Sequence, residues 1–193
     1  SFYETTSFAP TASAEYRIIH IDDSNSNSNV VASNFIGGSA PTATGTFTKT
    51  NAASNEFVAI HVNVGSSTPT TINGNVIRNF NYSNAANANW RGIRMAGGSV
   101  NAGSIAANTI GSTTGTGSIT FTNSTSGGTL FGFDISSAST VLCENNHVSS
   151  VTAANSNTAN ATHVIAFNKS ASAGTSTLLN NTIGSLTIAN SIQ

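Results

Sequence analysis

The stretch TINGNVIRNF, residues 71–80, sets an asparagine, Asn75, three residues after one aliphatic side chain, Ile72, and two before another, Ile77. The same form, apolar-x-x-Asn-x-apolar, recurs around Asn34 (Val31, Ile36), Asn108 (Ile105, Ile110), Asn146 (Cys143, Val148) and Asn181 (Leu178, Ile183). Successive asparagines are about 41, 33, 38 and 35 residues apart, a spacing that marks stacked repeats rather than a single globular sheet.

A second motif precedes each copy: Ile18-Ile19-His20-Ile21, Ala59-Ile60-His61-Val62, Gly92-Ile93-Arg94-Met95, Gly132-Phe133-Asp134-Ile135 and Ala166-Phe167-Asn168-Lys169. Its last three positions alternate apolar, polar, apolar in four of the five copies, the period of a strand with one buried face. From the second residue of this motif to the following asparagine the distance is about 13–15 residues, a nearly rigid unit. From each asparagine to the next strand it wanders between about 18 and 26, so insertions concentrate in one segment. That segment carries turn-forming Gly, Asn and Ser, with enough Thr, Ile and Phe for a third short strand. No window sustains the helical apolar period over three turns, and the Ala-rich run NAANAN, residues 84–89, reads as loop.

One strand per segment and three segments per repeat predict an all-β solenoid in which equivalent residues stack in columns about 4.8 Å apart. The columns Ile19, Ile60, Ile93, Phe133, Phe167; Val31, Ile72, Ile105, Cys143, Leu178; and Ile36, Ile77, Ile110, Val148, Ile183 are expected to form the core. Ile18, Ala59, Gly92, Gly132 and Ala166 form a column of mostly small residues, as suits a strand passing close to a neighbour. Residues 1–193 are expected to be one domain: 1–15 an edge strand or inter-subunit segment, 16–193 five coils.

The form h-x-x-N-x-[IV], joined to a preceding G-[IF]-x-hydrophobic strand, resembles the right-handed parallel β-helix repeats of the pectin-lyase-like superfamily over nearly the whole chain. The resemblance implies that Asn34, Asn75, Asn108, Asn146 and Asn181 form an internal ladder, each amide donating to the carbonyl of the next. An amide carries both donor and acceptor, so such a stack satisfies itself, whereas one isolated buried Asn costs a few kcal/mol. An Asn also tolerates the left-handed backbone of a tight turn. The alternative is that these are solvent-exposed turn residues.

Composition narrows the function. Only 7% of residues are charged and the formal net charge is -1. Six Lys and Arg spread over 193 residues cannot neutralise a run of phosphates, which argues against nucleic acid or an anionic membrane as partner. No apolar run approaches the roughly 20 residues that span a bilayer. The lone Cys143 permits no internal disulfide and reads as a small buried hydrophobe. With no Met at position 1 and abundant Ser, Thr and Asn, the chain reads as a processed or excerpted extracellular or cell-surface protein.

The resemblance also directs attention to a groove along one sheet, where polysaccharide lyases and hydrolases of this fold cluster their carboxylates. Here His20, His61 and Arg94 occupy successive positions of one outward column, with Asp22 and Asp23 close by in sequence. Such a column can bind an acidic sugar or a metal, or be simply a solvated face. Asp134 shares the column but lies about three coils, near 14 Å, from Asp22 and Asp23, too far to flank one glycosidic bond. No catalytic residue and no cofactor is expected. Arg78, whose counterparts are Gly37, Gly111, Ser149 and Gly184, is expected to cap a local carbonyl. Ranks of Thr on an outer face would suit ice binding, but Thr46, Thr48, Thr120 and Thr122 fall in the elastic segment, where no rank is apparent.

The chain begins and stops at the same phase of its repeat. Two expectations follow: an excerpt of a longer surface protein, or a subunit that polymerises head to tail through a non-closing contact. The sequence therefore favours a structural or adhesive protein, with a carbohydrate-active enzyme or polysaccharide-binding module as the alternative and ice binding as a minor one.

Overall fold

Among the described residues eighteen strands follow one another through the repeat. They are β1 Tyr16–Asp22, β2 Val30–Ala32, β3 Phe35–Ile36 and β4 Phe47–Lys49; β5 Phe57–Asn63, β6 Thr70–Asn73, β7 Val76–Ile77 and β8 Phe80–Asn84; β9 Trp90–Gly97, β10 Val100–Ala102, β11 Thr109–Gly111 and β12 Ile119–Asn123. Then come β13 Thr129–Ile135, β14 Val141–Glu144 and β15 His147–Asn155, and finally β16 His163–Lys169, β17 Ser176–Leu179 and β18 Thr182–Ala189. The computed structural model describes residues 1–50, 53–125, 127–155 and 160–189. Among these the helical content is a single 3-10 turn, Pro41–Ala43, and residues 85–89 are loop.

Every pairing between the described strands is parallel; the one antiparallel bridge among the described residues, Ala40 to Thr44, closes a local turn. The first sheet runs β1-β5-β9-β13-β16 and the second β2-β6-β10-β14-β17. The third begins β3-β7-β11-β15, and β15 is long enough to pair a second time, its other half lying beside β12, from which the order continues to β8 and then β4, while β18 pairs along β15. Parallel strands need a crossover, and here each crossover is the rest of the repeat, as in a parallel β-helix. Phe2 bridges in parallel to Ile36 and Phe8 to Lys49, so residues 2–8 run along the outer edge of the third sheet beside β3 and β4.

The core lies between the sheets. Phe57 and Trp90 from the first sheet stack on each other at 5.4 Å, and Phe80 from the third meets them at 5.0 and 5.5 Å. Strict alternation is interrupted at the same place in three strands of the first sheet: β5 buries both Ala59 and Ile60, β9 both Gly92 and Ile93, and β13 both Gly132 and Phe133. The small column is a steric requirement: a Cβ on Gly92 would stand 2.6 Å from Ile110 Cδ1, and one on Gly132 would stand 2.9 Å from the Val148 methyls.

Two expected core columns need correction. Ile105 is 82% exposed, and Ala102 takes its place, paired with Ile72 on one side and Cys143 on the other. The third repeat inserts residues between its second and third strands, and the apolar-x-x-Asn spacing falls by coincidence on the bulge. Leu178 and Ile183 hold their expected registers but are 52% and 55% exposed, because no described strand lies beyond β17 and β18 to cover them.

The asparagines stack as a hydrogen-bonded chain. Nδ2 of Asn34, Asn75 and Asn108 donates to Oδ1 of Asn75, Asn108 and Asn146 at 2.9 Å each, and Asn146 donates to Asn181 at 3.1 Å. The second amide hydrogen goes to a strand carbonyl: Asn75 to Val31, Asn108 to Ile72, Asn146 to Ala102 and Asn181 to Cys143, at 2.7–3.0 Å. Each Oδ1 also accepts the backbone N–H of the asparagine one repeat earlier. Both donors and both lone pairs of the buried amides are thus used. The left-handed backbone belongs not to these asparagines but to the residue before four of them: Ser33 (φ 57), Gly74 (φ 65), Asn145 (φ 58) and Asn180 (φ 53).

Candidate functional site: a charged strip on the first sheet

Side chains pointing outward from the first sheet form two columns. One is His20, His61, Arg94, Asp134 and Asn168; the other, three residues earlier on each strand, is Arg17, Val58, Arg91, Phe131 and Ile165. With Glu15 and Glu56 just before their strands, these columns gather three of the six Lys and Arg side chains, Arg17, Arg91 and Arg94, with three of the seven Asp and Glu.

At one end, Arg17 donates to Glu15 Oε2 and meets His20 Nε2, both at 2.7 Å. His20 lies 3.6 Å from Asp22, whose Oδ1 accepts a hydrogen bond from Asn63 at 2.8 Å. The His20 and His61 rings meet edge to face, with centroids 4.9 Å apart, and Arg94 reaches to 4.0 Å from Glu15. The structure thus places His20, His61, Arg94 and Asp22 together. Asp23 stands apart: its Oδ1 accepts Asn25 N–H at 2.9 Å, closing a local turn.

At the other end, Arg91 clamps two carboxylates from flanking strands, Glu56 through Nη1 and Asp134 through Nε, both at 2.8 Å. Asn168 donates to the other Asp134 oxygen at 2.9 Å, and the Arg91 guanidinium lies 5.4 Å from the Phe131 ring centroid. Sequence reasoning missed Arg17, Glu15, Glu56 and Arg91. The signal was available, since Arg17 and Arg91 each precede a member of the named column by three residues on the same strand.

The electrostatics follow this pairing. Burial, then the positive charges of Arg17 and Arg94, lower the His61 pKa to about 4, so its imidazole is neutral at pH 7. The Arg17 hydrogen bond lowers the Glu15 pKa, and the Asn63 hydrogen bond lowers that of Asp22. His61 Nδ1 and Arg94 Nε are buried without a hydrogen-bond partner among the described residues. No group of three or more His, Cys, Asp or Glu among the described residues is arranged to hold a metal ion. A polar depression of about 430 Å³ opens beside the starts of β13 and β16, lined in part by Asn89, Thr129 and His163. Asn89 is already committed there, to Glu56 and to the Thr129 N–H.

Away from the strip, Arg78 donates to the carbonyls of Ala43 and Thr42 at 3.3 and 3.1 Å, capping the 3-10 turn. Cys143 is buried, which pushes its thiol pKa up to about 12. A second asparagine column, Asn84, Asn123 and Asn155, lies fully buried at the end of the third sheet. Asn123 is placed to donate to Ala86 O at 3.0 Å and to accept from Gly128 N at 3.2 Å. No described helix is long and apolar enough to cross a membrane. In comparisons with known proteins, no family model, curated protein or solved structure matches the chain.

Proposed function

We propose that this chain is a non-enzymatic structural or adhesive rod of an extracellular or cell-surface protein: a right-handed parallel β-helix of about five coils, similar to those of the pectin-lyase-like superfamily. One observation carries the reading. The Asn ladder runs unbroken from Asn34 to Asn181 while the sheets beside it keep parallel register, so the strongest polar chemistry in the interior serves the stack itself. The strip fits the same reading, because its carboxylates Glu15, Glu56 and Asp134 are spent on neighbouring arginines. Leu178, Ile183, Leu186 and Ile188, exposed along the β17 and β18 edge, are where a further coil or a second copy would stack.

Two measurements test this. Negative-stain microscopy and light scattering of the purified chain should show elongated particles that associate end to end; monodisperse monomers would remove the self-association. Incubation with acidic polysaccharides should give no turnover. Turnover that disappears in His61→Ala and Arg94→Ala would replace the structural reading with the carbohydrate-active one.

A second reading is favoured by one observation, a rank that insertions conceal in the sequence. Thr48, Asn81, Thr120, Thr152 and Thr187 occupy one outward register of the third sheet on successive strands. Ser83, Thr122 and Ala154 form the next outward register, so this face is uncharged and carries short side chains. Rows repeating at about 4.8 Å are the geometry an ice-binding face requires. Thermal hysteresis, abolished by Thr120→Lys and Thr152→Lys, would support this reading, and its absence in the unaltered chain would reject it.

A further inference from the structure

Lys49 points inward from β4. Among the described residues it is the one lysine or arginine that is fully buried, 1% exposed, in register with Tyr82 on the next strand. Its Nζ lies 2.6 Å from Ala53 O, 2.6 Å from Ser83 O and 2.8 Å from Asn84 Oδ1. The described contacts of Nζ include no carboxylate. Asn84 is itself fully buried, and its Oδ1 is held a second time by the Asn55 backbone N–H at 2.9 Å. Its Nδ2 has no hydrogen-bond partner among the described residues. An amine and a carboxamide are therefore fixed side by side, with the carbonyl oxygen anchored twice and the amide nitrogen unanchored.

We propose that Lys49 and Asn84 join in an intramolecular isopeptide bond that clips the strand pair β4 and β8 together. The neutral amine attacks Asn84 Cγ and a tetrahedral centre forms. One of the two Nζ hydrogens passes to Nδ2, the Cγ–Nδ2 bond breaks, and Nδ2 leaves as ammonia. The product is a secondary amide, and the step needs no oxidant, reductant or cofactor.

Three features of the site serve this reaction. The fold holds the reactants together, where effective molarities reach about 10⁵–10⁸ M. The Asn55 N–H is aimed at the oxygen that gains negative charge on attack. Burial lowers the Lys49 pKa to about 8, so a minority of molecules carries the neutral amine at pH 7. The same three hydrogen bonds that position Nζ also favour the ammonium form, which makes the reaction slow, and a bond formed once per molecule tolerates that.

Mass spectrometry of the full chain tests the proposal. After prolonged incubation at about pH 9 the intact mass should fall about 17 Da, one ammonia, below the sequence mass. Trypsin should no longer cleave after Lys49, giving a branched peptide in which residues 18–78 are joined through Asn84 to residues 79–91. Lys49→Arg and Asn84→Ala should each abolish the branched peptide, a readout that does not require the variants to fold. An intact mass equal to the sequence mass, with normal cleavage after Lys49, overturns the proposal. So does a loss of about 17 Da without the branched peptide, the result that succinimide formation at Asn73-Gly74 would give.

Discussion

Asn75 and Asn108 are joined twice: the Asn108 Oδ1 accepts both the side-chain Nδ2 of Asn75, at 2.9 Å, and its backbone N–H, at 3.1 Å. One oxygen thus satisfies two donors from the preceding repeat, and the pattern continues through Asn146 and Asn181. The apolar residues around each rung would fit many sheet arrangements. The ladder specifies which repeat follows which.

Removing a central rung should therefore cost more than removing the first. Asn108→Ala strands both Asn75 donors in a fully buried site, and we expect a loss of about 2–4 kcal/mol, from the cost of roughly 1–3 kcal/mol per unsatisfied buried group. Asn34 is only half-buried, with no rung donating to it among the described residues, and Asn34→Ala should cost about 1 kcal/mol or less. Urea denaturation of the two variants checks the ratio; equal losses would mean that the ladder is not cooperative along the stack.

His61 sets an acid limit on stability. Its pKa is near 4 in the fold against 6.5 for a free histidine, so between these values the unfolded chain binds more protons than the folded one. Stability from this group is complete above pH 6.5 and falls as the pH drops toward 4. The lowered carboxylates Glu15 and Asp22 add a loss of the same sign at lower pH. Denaturation midpoints should fall between pH 6.5 and about 4.5 in the unaltered chain and change less in His61→Gln. An identical slope in both would show that His61 titrates normally.

Ile105 and Ile110 make an internal comparison. Ile110 is fully buried between Ile77 and Val148, whereas Ile105 sits exposed on the bulge. Ile110→Ala should cost about 2–5 kcal/mol by opening a cavity. Ile105→Ser should change stability by no more than about 0.5 kcal/mol. Comparable losses at both sites would restore Ile105 to the core column.

These contrasts show what a single sequence conveys about such a chain. The equal distances from Ile19 to Asn34 and from Ile60 to Asn75 made the first sheet and the ladder positions legible, because stacked strands tolerate no slippage there. From Ile93 to Asn108 the distance is the same but is shared out differently around the second strand, which is why Ile105 misled. The third sheet was obscured by turns of differing length, so Thr152 and Thr187 could not be aligned with Thr48 and Thr120 before the pairings were known. Asn84 and Asn123 were hidden for the same reason, and Lys49 drew no reading because its strand could not be phased. In the strip, His20, His61 and Arg94 were visible as one column. Arg91 became meaningful only once Glu56 and Asp134 were seen on either side of it. Ile105 shows the converse failure, a motif match produced by a bulge.

Engineered cysteine pairs read the parallel, in-register stacking of successive repeats directly. With Cys143 replaced by Ala, cysteines at Asn81 and Thr120, register partners on β8 and β12, lie on the same outer face. Neighbouring strands are about 4.8 Å apart, within the Cα range a disulfide spans. Cysteines at Asn81 and Thr122 also face outward but are offset by two residues. Mild oxidation should cross-link the first pair rapidly and the second poorly. Rapid cross-linking of the offset pair, with none of the in-register pair, would contradict the stack.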